Sequence, residues 1–165
     1  MKNLSLLRYT LYVSILPLLS CGSKEEDATP KSSSHNVAVH VEGQNLLPKL
    51  GASLQIYTTQ RLNGVVTTTL IAQKDYVGGS VDTTYTLGSL ASIDALNTNA
   101  VSVRTSFLGC GSGGYVPPTN SQLTASIVVD GKKTMSVTLD QTQKGPYVAN
   151  DLFLTGSLSQ ELHKL

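Results

Sequence analysis

Residues able to do chemistry are sparse in this chain of 165 residues. Histidine, the commonest general base, occurs only as His35, His40 and His163. His35 and His163 fall in segments expected to be flexible ends. His40 sits on the strand face opposite Val37, Val39 and Val41, so it either faces solvent or is satisfied on that second face. Glycoside hydrolysis uses paired carboxylates, yet Glu42 is the only Glu between His35 and Ser159. Several Asp residues fall at expected turns, where Asp is favoured for backbone reasons. There is no GxSxG nucleophile elbow, no HExxH and no EF-hand loop. Two cysteines cannot complete a four-ligand zinc site. The reading is a protein that is not an enzyme, with no metal and no cofactor; a hydrolase with an unrecognised Asp site is the minor alternative.

One segment has the composition of a recognition loop: Gly109-Cys110-Gly111-Ser112-Gly113-Gly114-Tyr115-Val116-Pro117-Pro118. Gly113 and Gly114 would let a partner approach the backbone, with Tyr115 as the aromatic contact. A phosphate cradle would need a lysine and a following helix, and Pro117-Pro118 argues against a helix start. A plain interstrand connection explains the same composition and is the favoured of the two readings. Cys110 is expected to lack an intramolecular disulfide partner.

The elements that must position these residues are strands. Val37, Val39 and Val41 alternate with Ala38 and His40, the period of a half-buried strand. Leu54 and Ile56 alternate with polar neighbours, Asn63-Gly64 supplies a turn, and residues 65–72 are largely β-branched. Gly78-Gly79 breaks the chain before a strand over 81–87. Val101, Val103, Thr105 and Phe107 alternate again. Asp130-Gly131 between two β-rich runs predicts a hairpin with a type I′ turn, and a last strand is expected within 147–155. Only 89–97 spaces its apolar residues helically, at Leu90, Ile93 and Leu96, which predicts a short helical turn.

About seven or eight strands with no long amphipathic segment place the chain in the all-β class. Residues 85–90 followed by Val101-Ser102-Val103-Arg104 resemble two strands of fibronectin type III-like modules, without the expected tyrosine corner and core tryptophan. An immunoglobulin-like or a prealbumin-like β-sandwich is therefore expected over 36–158, with a C-terminal tail at 159–165.

The N-terminus carries an address. Lys2 and Arg8 precede an apolar run from Leu11 to Leu19, broken by Pro17. Nine residues at ~1.5 Å rise span about 14 Å, roughly half a hydrocarbon core, so the run suits a secretory signal and not a spanning helix. Leu18-Leu19-Ser20-Cys21 resembles the lipobox of bacterial lipoproteins, with Leu19 bulkier than usual. The resemblance implies a signal peptide over 1–20 and diacylglycerol on the Cys21 thiol, with palmitate-like acyl chains holding the protein to a membrane. Glu25-Glu26-Asp27 resembles the surface-export tether of Bacteroidetes-type lipoproteins, which implies the outer membrane and the cell surface. A solvated spacer on a periplasm-facing protein is the other reading of those carboxylates. Residues 21–35 then form the lipidated cysteine and a flexible tether. Asp82-Thr83-Thr84 is similar to the short motif that such bacteria O-glycosylate, which implies modification at Thr83; a β-branched strand segment is the alternative.

Twelve basic and 11 acidic side chains give a net charge of +1, and loss of Lys2 and Arg8 with the signal peptide would leave ten basic against 11. That balance argues against a surface that tracks nucleic-acid phosphates. The function expected is a lipid-anchored envelope module binding a protein or glycan, or serving as an accessory subunit. A small-ligand carrier or enzyme-accessory domain is the alternative. An exposed aromatic platform would favour a glycan, whereas an apolar patch or open strand edge would favour assembly.

Overall fold

The computed structural model describes residues 33–92, 97–110, 117–142, 147–148, 151–152 and 154–165. Strands β1 (Ser33–Gln44), β2 (Ala52–Leu62), β3 (Val65–Tyr76), β4 (Val81–Ser92) and β5 (Thr98–Phe107) are followed by β6 (Gln122–Val129) and β7 (Lys132–Leu139). The two-residue pair β8 (Tyr147–Val148) and β9 (Asp151–Leu152) precedes β10 (Leu154–Glu161). Two four-stranded antiparallel sheets result, one in the order β4-β1-β6-β7 and the other β10-β5-β2-β3. The protein is an all-β sandwich of eight main strands.

Alternation decides which side chains meet between the sheets. Val37, Val39 and Val41 of β1 pair with Val129, Ile127 and Ala125 of β6, and all six are buried. Across the gap, Ala52, Leu54 and Ile56 of β2 pair with Phe107, Thr105 and Val103 of β5, again all buried. Leu139 of β7 in the first sheet and Leu154 and Leu158 of β10 in the second join the same core. Burial of each large aliphatic or aromatic side chain contributes roughly 1.5–3 kcal/mol, so the core between β1, β6, β2 and β5 carries the stability.

The sandwich closes tightly on one side only. Gly156 of β10 lies against β7: a Cβ there would sit 2.5 Å from Val137 Cγ2 and 3.3 Å from Leu139 Cδ2. On the opposite side, Tyr76 of β3 and Tyr85 of β4 meet hydroxyl to hydroxyl at 3.3 Å. Further along, the Asn99 side-chain amide of β5 donates to the Ala91 carbonyl of β4 at 2.5 Å, and a cleft opens between that bond and β3.

One sequence expectation needs correction, and the strands extend past both expected bounds of the sandwich. Ser89 to Ser92 are strand and not helical turn, because Leu90 pairs with His35 across β4 and β1; residues 93–96 lie outside the described residues. The tail expected from 159 is structured, since β10 continues to Glu161 along β5 and Leu162, in a 3-10 turn at Leu162–Lys164, is fully buried. At the other end β1 starts at Ser33, three residues before the expected boundary. His35 Nδ1 lies 2.7 Å from Asp130 Oδ2, and the Asn36 N–H donates to Asp130 Oδ1 at 2.9 Å. Long-range partners hold residues 33–36 and 159–162 in place, which local composition does not reveal.

Candidate functional site

The feature that stands apart is the second half of the β2–β3 hairpin. The Asn63-Gly64 turn has φ of 49° and 81°, the pair of positive values a type I′ turn needs. From Val65 to Ile71 every residue of β3 is exposed. Val65 is 66% exposed and Val66 54%, with Leu70 and Ile71 both at 47%. Among the described residues β3 pairs only with β2 and ends its sheet, so none of them sets a strand beside its outer row of backbone N–H and C=O groups. Leu62 to Gln73 contains no charged residue and no proline. Exposed edges usually carry lysine, proline or a bulge to prevent pairing. Here a bulge comes only at Ile71, where the register with β2 slips between Ala72 and Leu70.

Behind this edge, on the inner face, the apolar core gives way to polar residues. Thr58, Gln60, Thr67 and Thr69 face Ser89, Leu90 and Ala91 of β4, with Asn99, across a cleft of about 330 Å³. The sheet itself continues out to this point, held by rows such as Thr59 Oγ1 to Thr68 Oγ1 at 3.1 Å. β3 thus has a packed strand on one side and open space on the other.

A second feature lies on the outer face of the first sheet. Glu42 and Asp82 stand directly opposite each other on β1 and β4, a like-charge pairing that is unfavourable by itself. His40 lies between them in space, with Nε2 at 3.4 Å from Glu42 Oε1 and 3.7 Å from Asp82 Oδ1. Its Nδ1 is 3.1 Å from Thr84 Oγ1. Beside this group a hollow of about 410 Å³ is lined by Glu42, Gln44, Ser80, Asp82 and Gln122. His40 therefore has polar partners on the outer face, two carboxylates on Nε2 and the Thr84 hydroxyl on Nδ1. Among the described residues, no group of three or more His, Cys, Asp or Glu could hold a metal ion.

Other sequence candidates scatter. Cys21, Gly113, Gly114 and Tyr115 lie outside the described residues. Cys110 ends a 3-10 turn at Leu108–Cys110. Thr83 lies in β4 opposite Val41, half-buried. Sequence reasoning missed the His40–Glu42–Asp82 group because its register across β1 and β4 is a long-range pairing. The β3 edge had a partial signal in its β-branched, uncharged run, but a central strand would read the same way. No described helix is long and apolar enough to cross a membrane. No protein-family model, curated protein or solved structure matches the chain.

Proposed function

We propose that the protein is a non-catalytic, lipid-anchored module of the outer membrane, displayed at the cell surface, that takes a protein partner along the edge of β3. The anchoring part of this reading is supported by Lys2, Arg8, the short apolar run and Cys21, and the outward display by Glu25-Glu26-Asp27. The binding part is carried by one observation: a seven-residue stretch of edge strand, uncharged and exposed on both faces, with no protection before Ile71. Strand addition at such an edge supplies main-chain hydrogen bonds, and alternate side chains supply specificity. Assembly is preferred to glycan recognition because Tyr57, Tyr76 and Tyr85 are all half-buried and form no exposed aromatic platform among the described residues.

The test combines two variants of the full chain. Cys21→Ser is expected to abolish lipid labelling and membrane retention; retention after a salt wash overturns the anchor. Thr68→Lys places a charge on the docking edge and is expected to abolish capture of the partner from intact membranes while leaving the fold unchanged. Unaltered capture overturns β3 as the site.

A second reading, a carrier of a small polar ligand, is favoured by the hollow beside Glu42 and Asp82. Saccharide-array binding that is lost in Asp82→Asn and kept in Thr68→Lys would select it.

A further inference from the structure

We infer that the occupant of the β3 edge is β3 of a second copy of this chain, paired antiparallel about a two-fold axis through Thr68. The inference rests on the reading of that edge as a docking surface and names its partner.

The first argument is geometric. The straight part of the edge begins at Val65, just after the turn, and ends at the bulge at Ile71. Thr68 is the midpoint of that segment, so pairing centred there uses all of it, and pairing centred elsewhere runs into the turn or the bulge.

The second is self-complementarity, which an isologous interface requires. In Val66-Thr67-Thr68-Thr69-Leu70, rotation about Thr68 sets Val66 opposite Leu70 of the second copy, Thr67 opposite Thr69, and Thr68 opposite itself. These pairs extend rows already present in the sheet, where Arg61 pairs with Val66, Thr59 with Thr68 and Tyr57 with Leu70. On the outer face Val66 and the second copy's Leu70 would lie between Arg61 and the second copy's Tyr57. On the inner face Thr67 and Thr69 would continue the row from Gln60 to the second copy's Thr58. Six of the seven residues from Val65 to Ile71 are β-branched, the type that packs best in such cross-strand pairs.

The third is charge. The nearest charges along the chain are Arg61 and Lys74, and Lys74 would run past the second copy's Val65, so the two lysines never face. A charged partner gains no ion pair along this edge. A second copy brings an equally neutral strand.

The experiment uses the full-length chain in detergent. Oxidation of Thr68→Cys is expected to give a disulfide-linked dimer well above the level of the parent chain, whose own cysteines provide the baseline. Val66→Cys alone should stay at baseline, whereas Val66→Cys mixed with Leu70→Cys should cross-link. Thr68→Lys sets two ammonium groups at the axis and should be monomeric by light scattering at concentrations where the parent is dimeric, with unchanged circular dichroism. A parent that is monomeric throughout, or a Thr68→Lys chain that remains dimeric, overturns the inference. A photo-cross-linking side chain at position 68 in whole cells separates the two readings. Cross-linking to itself supports the second copy; cross-linking only to a different protein overturns the second copy and leaves the docking edge standing. No cross-link at all overturns both.

Discussion

β3 and β7 are both edge strands, and each follows a two-residue turn with both φ values positive: 49° and 81° at Asn63-Gly64, 50° and 76° at Asp130-Gly131. The same turn chemistry delivers two strands with opposite fates. β7 begins with exposed Lys132 and Lys133, bulges at Thr134, and packs Val137 and Leu139 against Gly156 of β10. Its turn is fastened to β1, where the Asp130 N–H donates to the Asn36 carbonyl at 2.8 Å and the carboxylate returns to Asn36 and His35. β3 has none of these devices between Val65 and Leu70, and the Asn63 N–H is met by the side chain of Asn97 at 2.9 Å. A turn fixes hairpin register; what lies across the second strand decides whether that strand is core or interface.

The largest effect should come from truncation on the two strands. Leu139 is fully buried and Leu70 is half exposed. Leu139→Ala is expected to cost about 2–5 kcal/mol by chemical denaturation, and Leu70→Ala no more than about 0.5 kcal/mol. A comparable loss at Leu70 would mean that β3 belongs to the stabilising core and would erase the contrast.

The turns sharpen the comparison. A Cβ added at Gly64 or Gly131 meets nothing within 4 Å, so a substitution at either acts only through its positive φ, which a β-branched residue adopts with strain. Gly131→Val should destabilise the protein by about 1–3 kcal/mol, because its hairpin holds Ile127, Val129 and Leu139 in the core. Gly64→Val carries the same local strain at a tip beyond the core, where fraying relieves it. Its melting temperature should fall less than that of Gly131→Val, and equal falls would contradict an independent β3 tip.

The open and closed sides of the sandwich give a smaller contrast. Burial and the Tyr85 hydroxyl hold the Tyr76 phenol well above its ordinary value of 10, since both favour the neutral form. The folded value is the raised one, so this contribution to stability is present below about pH 10 and is lost as the phenol ionises in more alkaline solution. Tyr76→Phe should remove the slowest-titrating phenol from an alkaline absorbance titration and cost about 1 kcal/mol or less. Complete phenol ionisation near pH 10 in the parent would show that the bridge does not hold the open side.

Much of the fold was legible because its signals are local. Alternation at Val37 to Val41 and at Val101 to Phe107 marked strands, and Asn63-Gly64 and Asp130-Gly131 marked their hairpins. What was not legible depends on pairing across the chain. Leu90 reads as helical beside Ile93 and Leu96 until β1 lies against it, and Leu162 reads as tail until β10 carries it into the core. The same holds for the sites. The residues of β3 were visible as a strand, but its place at the end of a sheet follows only from the strand order. His40 and Glu42 share a face of β1 by strand period, but Asp82 joins them only through the β1–β4 register. Gly113, Gly114 and Tyr115 were singled out on composition, and they lie outside the described residues.

The smallest effect concerns what makes the β7 turn unlike the β3 turn, the Asp130 carboxylate. The hydrogen bond from His35, then that from the Asn36 backbone, hold Asp130 below its ordinary value of 3.8, against a smaller opposing effect of desolvation. Because the folded value lies below the unfolded one, the carboxylate stabilises the fold above about pH 4, and that contribution is lost as the pH falls through the lowered folded value. Asp130→Asn keeps an oxygen to accept from the Asn36 N–H but loses the charge that favours His35. Since Asp130 is exposed, the change at neutral pH should be slight. The informative measurement is the melting temperature between pH 5 and pH 2, where the variant should show a shallower acid slope than the parent. The Asn63 turn has no carboxylate, so Asn63→Ala should leave that slope untouched. Equal slopes for Asp130→Asn and the parent would show that the side-chain clamp is not what ties the β7 turn to β1, leaving the main-chain bond from Asp130 to Asn36 to do so alone.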